Sequence, residues 1–126
     1  MSLPDLSRLE LECLRRLWAL KEASVKEIHA SLEDAPSYST VRKIVERLEN
    51  KGAVTRVRQE GKAWVYTSAV SAGAMIRREV GRLLDTLFDG SAEPLMSHLV
   101  DMDAVSAADL KAAEERLKSK PEGERA

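Results

Sequence analysis

The sequence predicts a mainly α-helical chain interrupted once by a small β-hairpin. Three observations carry this expectation. Apolar residues recur at helical spacing in three segments before Gly52. Two β-rich runs then flank Glu60-Gly61. After Ser71 the helical spacing returns and holds nearly to the end. Amphipathic periods of this kind separate helix from strand.

The first helix is expected over Leu6 to Leu20. Ser7 is its N-cap and Glu10 completes a capping box, so two orphan backbone donors are satisfied reciprocally. Leu11, Leu14, Leu17 and Trp18 then form its inward stripe. "SVKEIHASLE" repeats the device: Ser24 caps, Glu27 closes the box, and Val25, Ile28 and Leu32 face inward. "DAPS" follows as a turn, with Pro36 biasing Ala35 away from helix. The third helix begins near Ser37 to Ser39 and stops at Gly52, the residue best suited to a left-handed C-cap. "AVTRVRQEGKAWVYTSAV" reads as a hairpin about Glu60-Gly61.

Beyond it, "SAGAMIRREVGRLLDTLFDG" is capped by Ser71 and stopped by Gly90. Ile76, Val80, Leu83, Leu84, Leu87 and Phe88 run along it as an apolar stripe. "SAEPLMSHLVDM" gives a short helix with Pro94 in its first turn, where proline is tolerated. "SAADLKAAEERLKSK" gives the last, capped by Ser106 with Asp109. These stripes cannot close a large core alone, so they are expected to bury against a second copy of the chain. Val80, Leu83, Leu84, Leu87, Phe88, Leu95, Leu99 and Leu110 are the expected dimerisation residues. The expected division is 1–70, 71–120 and a disordered polar tail at 121–126.

A chain of 126 residues with 44% hydrophobic content can form a core, though a modest one. The single cysteine, Cys13, permits no internal disulfide, and a reduced, cytoplasmic setting is expected. No signal peptide or membrane-spanning run is visible, so no membrane partner is expected. The net charge of −1 is uninformative, but its distribution is not. Arg42, Lys43, Arg47, Lys51, Arg56, Arg58 and Lys62 crowd the middle against only Glu46, Glu49 and Glu60. The C-terminal third is acidic. A basic middle in a neutral chain points to a local anionic partner.

Three helices followed by a hairpin are the order of a winged helix-turn-helix domain. On a helical wheel of about 100° per residue, Val41, Ile44, Val45 and Leu48 cluster on one side. Ser39, Lys43, Glu46 and Asn50 lie opposite, with Thr40, Arg42 and Arg47 at the margins. Lys43 and Arg47 stand one turn apart, where like charges repel. A polyanion against that face would remove the conflict. In a helix-turn-helix the second helix of the motif enters the major groove, its first residues at the base edges. Ser39, Thr40, Arg42 and Lys43 are therefore the expected readers of DNA, with Arg47 and Lys51 toward phosphates. Arg56, Arg58 and Lys62 flank the hairpin turn, where a wing could reach the backbone; Arg58 and Lys62 complete the expected set. Glu46 either accepts from a cytosine amino group or pairs with Arg42, and the pairing is the simpler reading.

Other features have plainer readings. Cys13 is a small core residue. His29 and His98 share no ligand spacing, so no metal is expected. Trp64 and Tyr66 share one face of a strand and are expected to pack rather than stack on bases. No phosphate loop, nucleophile pair or cofactor motif appears, so neither enzyme activity nor a cofactor is expected. The alternative to DNA binding is a winged-helix protein-interaction module, which has no need of a basic helix and wing. A ligand-responsive regulator is a third class, but nothing marks an effector pocket.

"LSRLELECLRRLWAL", "SVKEIHASLE", "YSTVRKIVERLENKGAVTR", "GKAWVYTSAVS" and "LLDTLFDGS" together resemble the penicillinase-repressor (BlaI/MecI) family of winged-helix repressors. The resemblance runs from about Leu6 to Lys118. It implies a dimeric transcriptional repressor on a dyad operator of double-stranded DNA, its C-terminal helices intertwined between subunits. It also implies a regulatory protease as partner, since members controlling β-lactam resistance are cut in the dimerisation region. The sequence departs from the family at that point. The Asn-Phe cleavage pair aligns with His98-Leu99. The C-terminal cysteine pairs of copper-responsive relatives have no counterpart here. Tyr38 stands where some members begin the recognition helix with proline.

Overall fold

Serine caps set the helix starts in the computed structural model, which describes residues Leu3 to Pro121. Ser7 caps α1 (Arg8–Leu20) and Ser24 caps α2 (Val25–Ser31), each in a complete capping box. Ser37 accepts from the Thr40 amide at the start of α3 (Tyr38–Asn50). Ser71 does the same for Ala74 in α4 (Ala72–Phe88). Pro94 falls in the first turn of α5 (Ala92–Asp101), and Ser106 with Asp109 opens α6 (Ala107–Ser119). The tail from residue 122, expected to be disordered, lies outside the described residues.

The end of α3 is a Schellman turn. Gly52 takes φ +79°, its amide donates to Glu49 and that of Ala53 to Leu48, so two last-turn carbonyls are satisfied. The chain then enters the hairpin β2 (Val54–Glu60) and β3 (Ala63–Ser68). Glu60 pairs with Ala63, so the two-residue turn is Gly61-Lys62, one step later than expected. Gly61 carries the positive φ of +62° and Lys62 does not, which suits glycine as the first residue of a primed turn.

A third strand was not expected. Residues Glu22–Ser24 form β1, which pairs antiparallel with β3 to give the sheet order β1-β3-β2. Three residues are too few to show an alternating pattern.

The described structure divides into two units, one through Arg78 and one from Glu79. The first is built around a single core. Cys13, Leu14 and Leu17 of α1 meet Ile28 of α2 and Val41, Ile44, Val45 and Leu48 of α3. Val54 and Tyr66 bring the sheet onto it, and Met75 brings the first turns of α4. Each large apolar side chain buried this way contributes about 1.5–3 kcal/mol. The division therefore falls inside α4, after the turns that carry Met75. Burial also pushes the Cys13 thiol up to about 11, as suits an inert core residue.

The second unit is different. No described residue from Glu79 onward is buried. Val80, Leu83 and Leu87 of α4, Met96 and Val100 of α5, and Leu110 and Leu117 of α6 are all exposed. Leu84, Phe88, Leu95 and Leu99 are half-buried. Phe88 and His98 meet edge to face at 5.6 Å.

Candidate nucleic-acid interface

α3 presents one buried side and one solvated side, as its periodicity requires. Val41, Ile44, Val45 and Leu48 anchor it, leaving Ser39, Arg42, Lys43, Glu46, Arg47 and Asn50 exposed. At its start, Ser37 Oγ lies 2.9 Å from Thr40 Oγ1 and 3.2 Å from Ser39 Oγ. These short hydroxyls hold the first turn without projecting from it. His29 Nε2 bonds the Pro36 carbonyl at 3.0 Å, and its ring meets Tyr38 edge-on. The approach to α3 is thus fixed from α2.

Arg42 and Glu46 are 4.0 Å apart and both more than half exposed. A pair that loose contributes little in water. It leaves both side chains able to turn toward a partner.

Beside α3 the hairpin forms the second wall of a groove. Lys26, Arg42, Arg56 and Lys62 line it, with Glu46 as the one acid. Tyr38, Trp64 and Tyr66 supply its aromatic surface. The groove brings together two residues of the expected set, Arg42 and Lys62. It adds Lys26, Tyr38, Arg56 and Trp64, which that set omitted. Arg56 is the best defined of these. Its Nε lies 3.0 Å from Glu49 Oε2, and its guanidinium sits over the Trp64 ring at 4.7 Å. Such stacking orients a guanidinium plane. Tyr66 is buried, whereas Trp64 is partly exposed beneath Arg56.

Two other members of the expected set are engaged elsewhere. Lys51 donates to Glu10 Oε1 at 2.8 Å and to the Asp5 carbonyl at 3.0 Å. Arg58 donates to Glu22 at 2.7 Å and to Glu60 at 2.8 Å, and these bonds raise its already high pKa. Neither the Lys51–Glu10 nor the Arg58–Glu22 bond is visible locally, because both acids lie far back along the chain.

Among the described residues no group of three or more His, Cys, Asp or Glu is placed to hold a metal ion. No helix of the described residues is long and apolar enough to cross a membrane.

Comparison with known proteins agrees with this layout. The chain is 23% identical over 110 residues to a penicillinase repressor of Bacillus licheniformis, covering 86% of this chain and 85% of that one. Among solved structures it is similar to a cysteine-to-serine mutant of MarR from E. coli, with a TM-score of 0.54 and 18% identity. That likeness covers 90% of this chain and 76% of the other. It is similar also to that mutant in complex with operator DNA, with a TM-score of 0.54, 16% identity and coverage of 90% and 74%. At these identities the structural likeness establishes the fold, a winged helix. The family model for the penicillinase repressor matches residues 6–119, nearly the whole chain, and the protein belongs to that family.

Proposed function

We propose that the protein is a sequence-specific, DNA-binding transcriptional repressor that acts as a homodimer on a dyad operator. The observation that carries the DNA reading is the groove between α3 and the hairpin. Four basic side chains from three different elements and the turn converge there, beside the exposed basic face of a helix whose other face is locked in a core. In this reading α3 enters the major groove. Arg42 and Lys43 reach base edges, Ser39 and Thr40 bring the first turn close, and Arg47 and Lys62 meet phosphates. The family supports repression as the outcome.

The second unit supports the dimer. A set of helices with apolar stripes and no buried residue needs a cover. A second copy supplies it by symmetry, each stripe meeting its own counterpart. Two linked reading heads would then address two half-sites about one helical turn, ~34–36 Å, apart. A protein of this function works in the cytoplasm. A regulatory protease is the further partner the family suggests, with His98-Leu99 at the aligned position.

Selection of bound duplexes from a random library tests the reading. Recovery of an inverted repeat, bound with a steep salt dependence, is the expected result. Enrichment of no sequence, with affinity independent of salt, would overturn it. Light scattering of the free chain checks the dimer separately.

A further inference from the structure

The wing carries two arginines two residues apart, Arg56 and Arg58. In a regular strand they would share one face. The ladder shows that they do not. Arg56 pairs with Tyr66 and Arg58 with Val65, so Val57 is an extra residue on β2. That is a β-bulge, a feature that commonly re-aims a side chain. Directly paired residues lie on one face of a sheet. Arg56 therefore shares a face with Tyr66 and Trp64. Arg58 shares the opposite face with Val65, Thr67 and Glu22, since Glu22 pairs with Thr67. Without the bulge Arg58 would pair with Trp64 and join Arg56 in the groove.

We propose that the Val57 bulge divides the wing's two arginines between two tasks. Arg56 is the wing's DNA-facing cation, and Arg58 is a fastener that ties the wing to β1. This rests on the DNA-binding reading and assigns the residues of the wing within it. Three observations define the division. Arg56 lines the groove with Arg42 and Lys62. Glu49 forms an ion pair with its Nε at 3.0 Å and the Trp64 ring lies under its plane, so the guanidinium is placed from two sides. That arrangement suits a planar, bidentate hold on a phosphate. Arg58 instead bonds a carboxylate of β1 and one of its own strand at 2.7 and 2.8 Å, and the Glu27 carboxylate also senses its charge. Moving it to a phosphate would strand those carboxylates beside DNA. Because Glu49 belongs to α3, the same ion pair couples the wing's cation to the helix that reads bases.

The test is a salt titration of the full chain on its selected operator and on an unrelated duplex. Removing one phosphate neutralisation lowers the slope of log affinity against log salt by about 0.9. Arg56→Ala removes one such contact from each protomer, so the dimer is expected to lose about 1.8 in slope on both duplexes. Arg58→Ala is expected to keep the parent slope. Arg56→Lys keeps the charge and should restore the slope, though with weaker binding. Loss of slope in the lysine variant too would mark a purely structural residue and overturn the assignment. So would a drop confined to Arg58→Ala, a drop in both alanine variants, or a drop in neither. A parent chain that binds no duplex is read before any variant, and it overturns the DNA reading itself together with this division.

Discussion

Lys51 Nζ lies 2.8 Å from Glu10 Oε1, joining the C-terminal cap of α3 to the first turn of α1. Glu10 is 1% exposed, while Lys51 remains more than a third open to solvent at 38%. Burial raises the Glu10 pKa. Hydrogen bonds from Lys51 and from Ser7 outweigh that and hold the carboxyl below its ordinary value of 4.5. The cap of α3 is thus seated on a buried carboxylate.

Lys51→Met should therefore act on stability before it acts on DNA. Removing one partner leaves a buried charge without its ion, and partial exposure of the lysine limits the cost to about 1–3 kcal/mol. The sign of the pH dependence follows from the lowered pKa. The stabilisation is full above 4.5 and is lost as pH falls through the folded value, because the protonated carboxyl no longer needs the ammonium. Urea unfolding should show a gap between parent and variant at neutral pH that narrows as the pH is taken progressively below 4.5. A gap that stays constant with pH would separate Lys51 from Glu10.

Arg42→Ala and Lys43→Ala should each weaken operator binding by about 1–3 kcal/mol for the base contact it removes, and relax the choice of base at that position. Lys62→Ala should weaken all duplexes more evenly and flatten the salt slope. Competition binding with single-base operator variants distinguishes the two patterns. If Arg42→Ala and Lys43→Ala keep the parent's discrimination, α3 is not the reader.

How much of the fold is legible in the sequence depends on how local the cause is. The capping boxes of Ser7, Ser24 and Ser106 join residues three apart, and all are readable. So are the α3 core set and the Gly52 stop, which follow from a wheel and a glycine. β1 is not, because Glu22–Ser24 is a strand only through its pairing with β3. The bulge at Val57 is not, because register is a property of two strands. Strand alternation therefore leaves Arg56 and Arg58 unsorted. Charge alone sends Lys51 toward phosphate, since its partner is 41 residues away.

A fragment ending at Arg78 should fold as a monomer and bind operator far more weakly than the full chain. In the proposed dimer two half-sites are held by one linked pair of heads, and losing the link removes the gain in effective concentration. A fragment ending at Ser71 should be less stable as well. It lacks Met75, which is buried in the winged core, and Arg78, which donates to the Leu3 and Pro4 carbonyls. Losing a buried methionine side chain costs about 2–5 kcal/mol. Thermal melts rank the two fragments, and light scattering reads their mass. A dimeric Arg78 fragment would move the dimer interface into the first unit.

The resemblance to the penicillinase-repressor family implies a cut at an Asn-Phe pair, the place taken in this chain by His98-Leu99. Here that bond lies inside α5, with the His98 ring edge-on to Phe88 and the Leu99 carbonyl accepting from Ala104. A protease selective for an amide side chain before an aromatic would meet an imidazole before a smaller aliphatic. The missing hydrogen bond and the underfilled pocket both reduce transition-state binding. Efficient cleavage by such a protease is therefore not expected, and a different protease or signal should relieve this repressor. Replacing the pair together, His98→Asn with Leu99→Phe, should increase the rate of scission if side-chain recognition is the obstacle. Intact-mass analysis over a time course reads both chains. Rapid scission of the parent between His98 and Leu99 would overturn the expectation. Equal resistance of the double variant would shift the cause from the side chains to the helix that holds the bond.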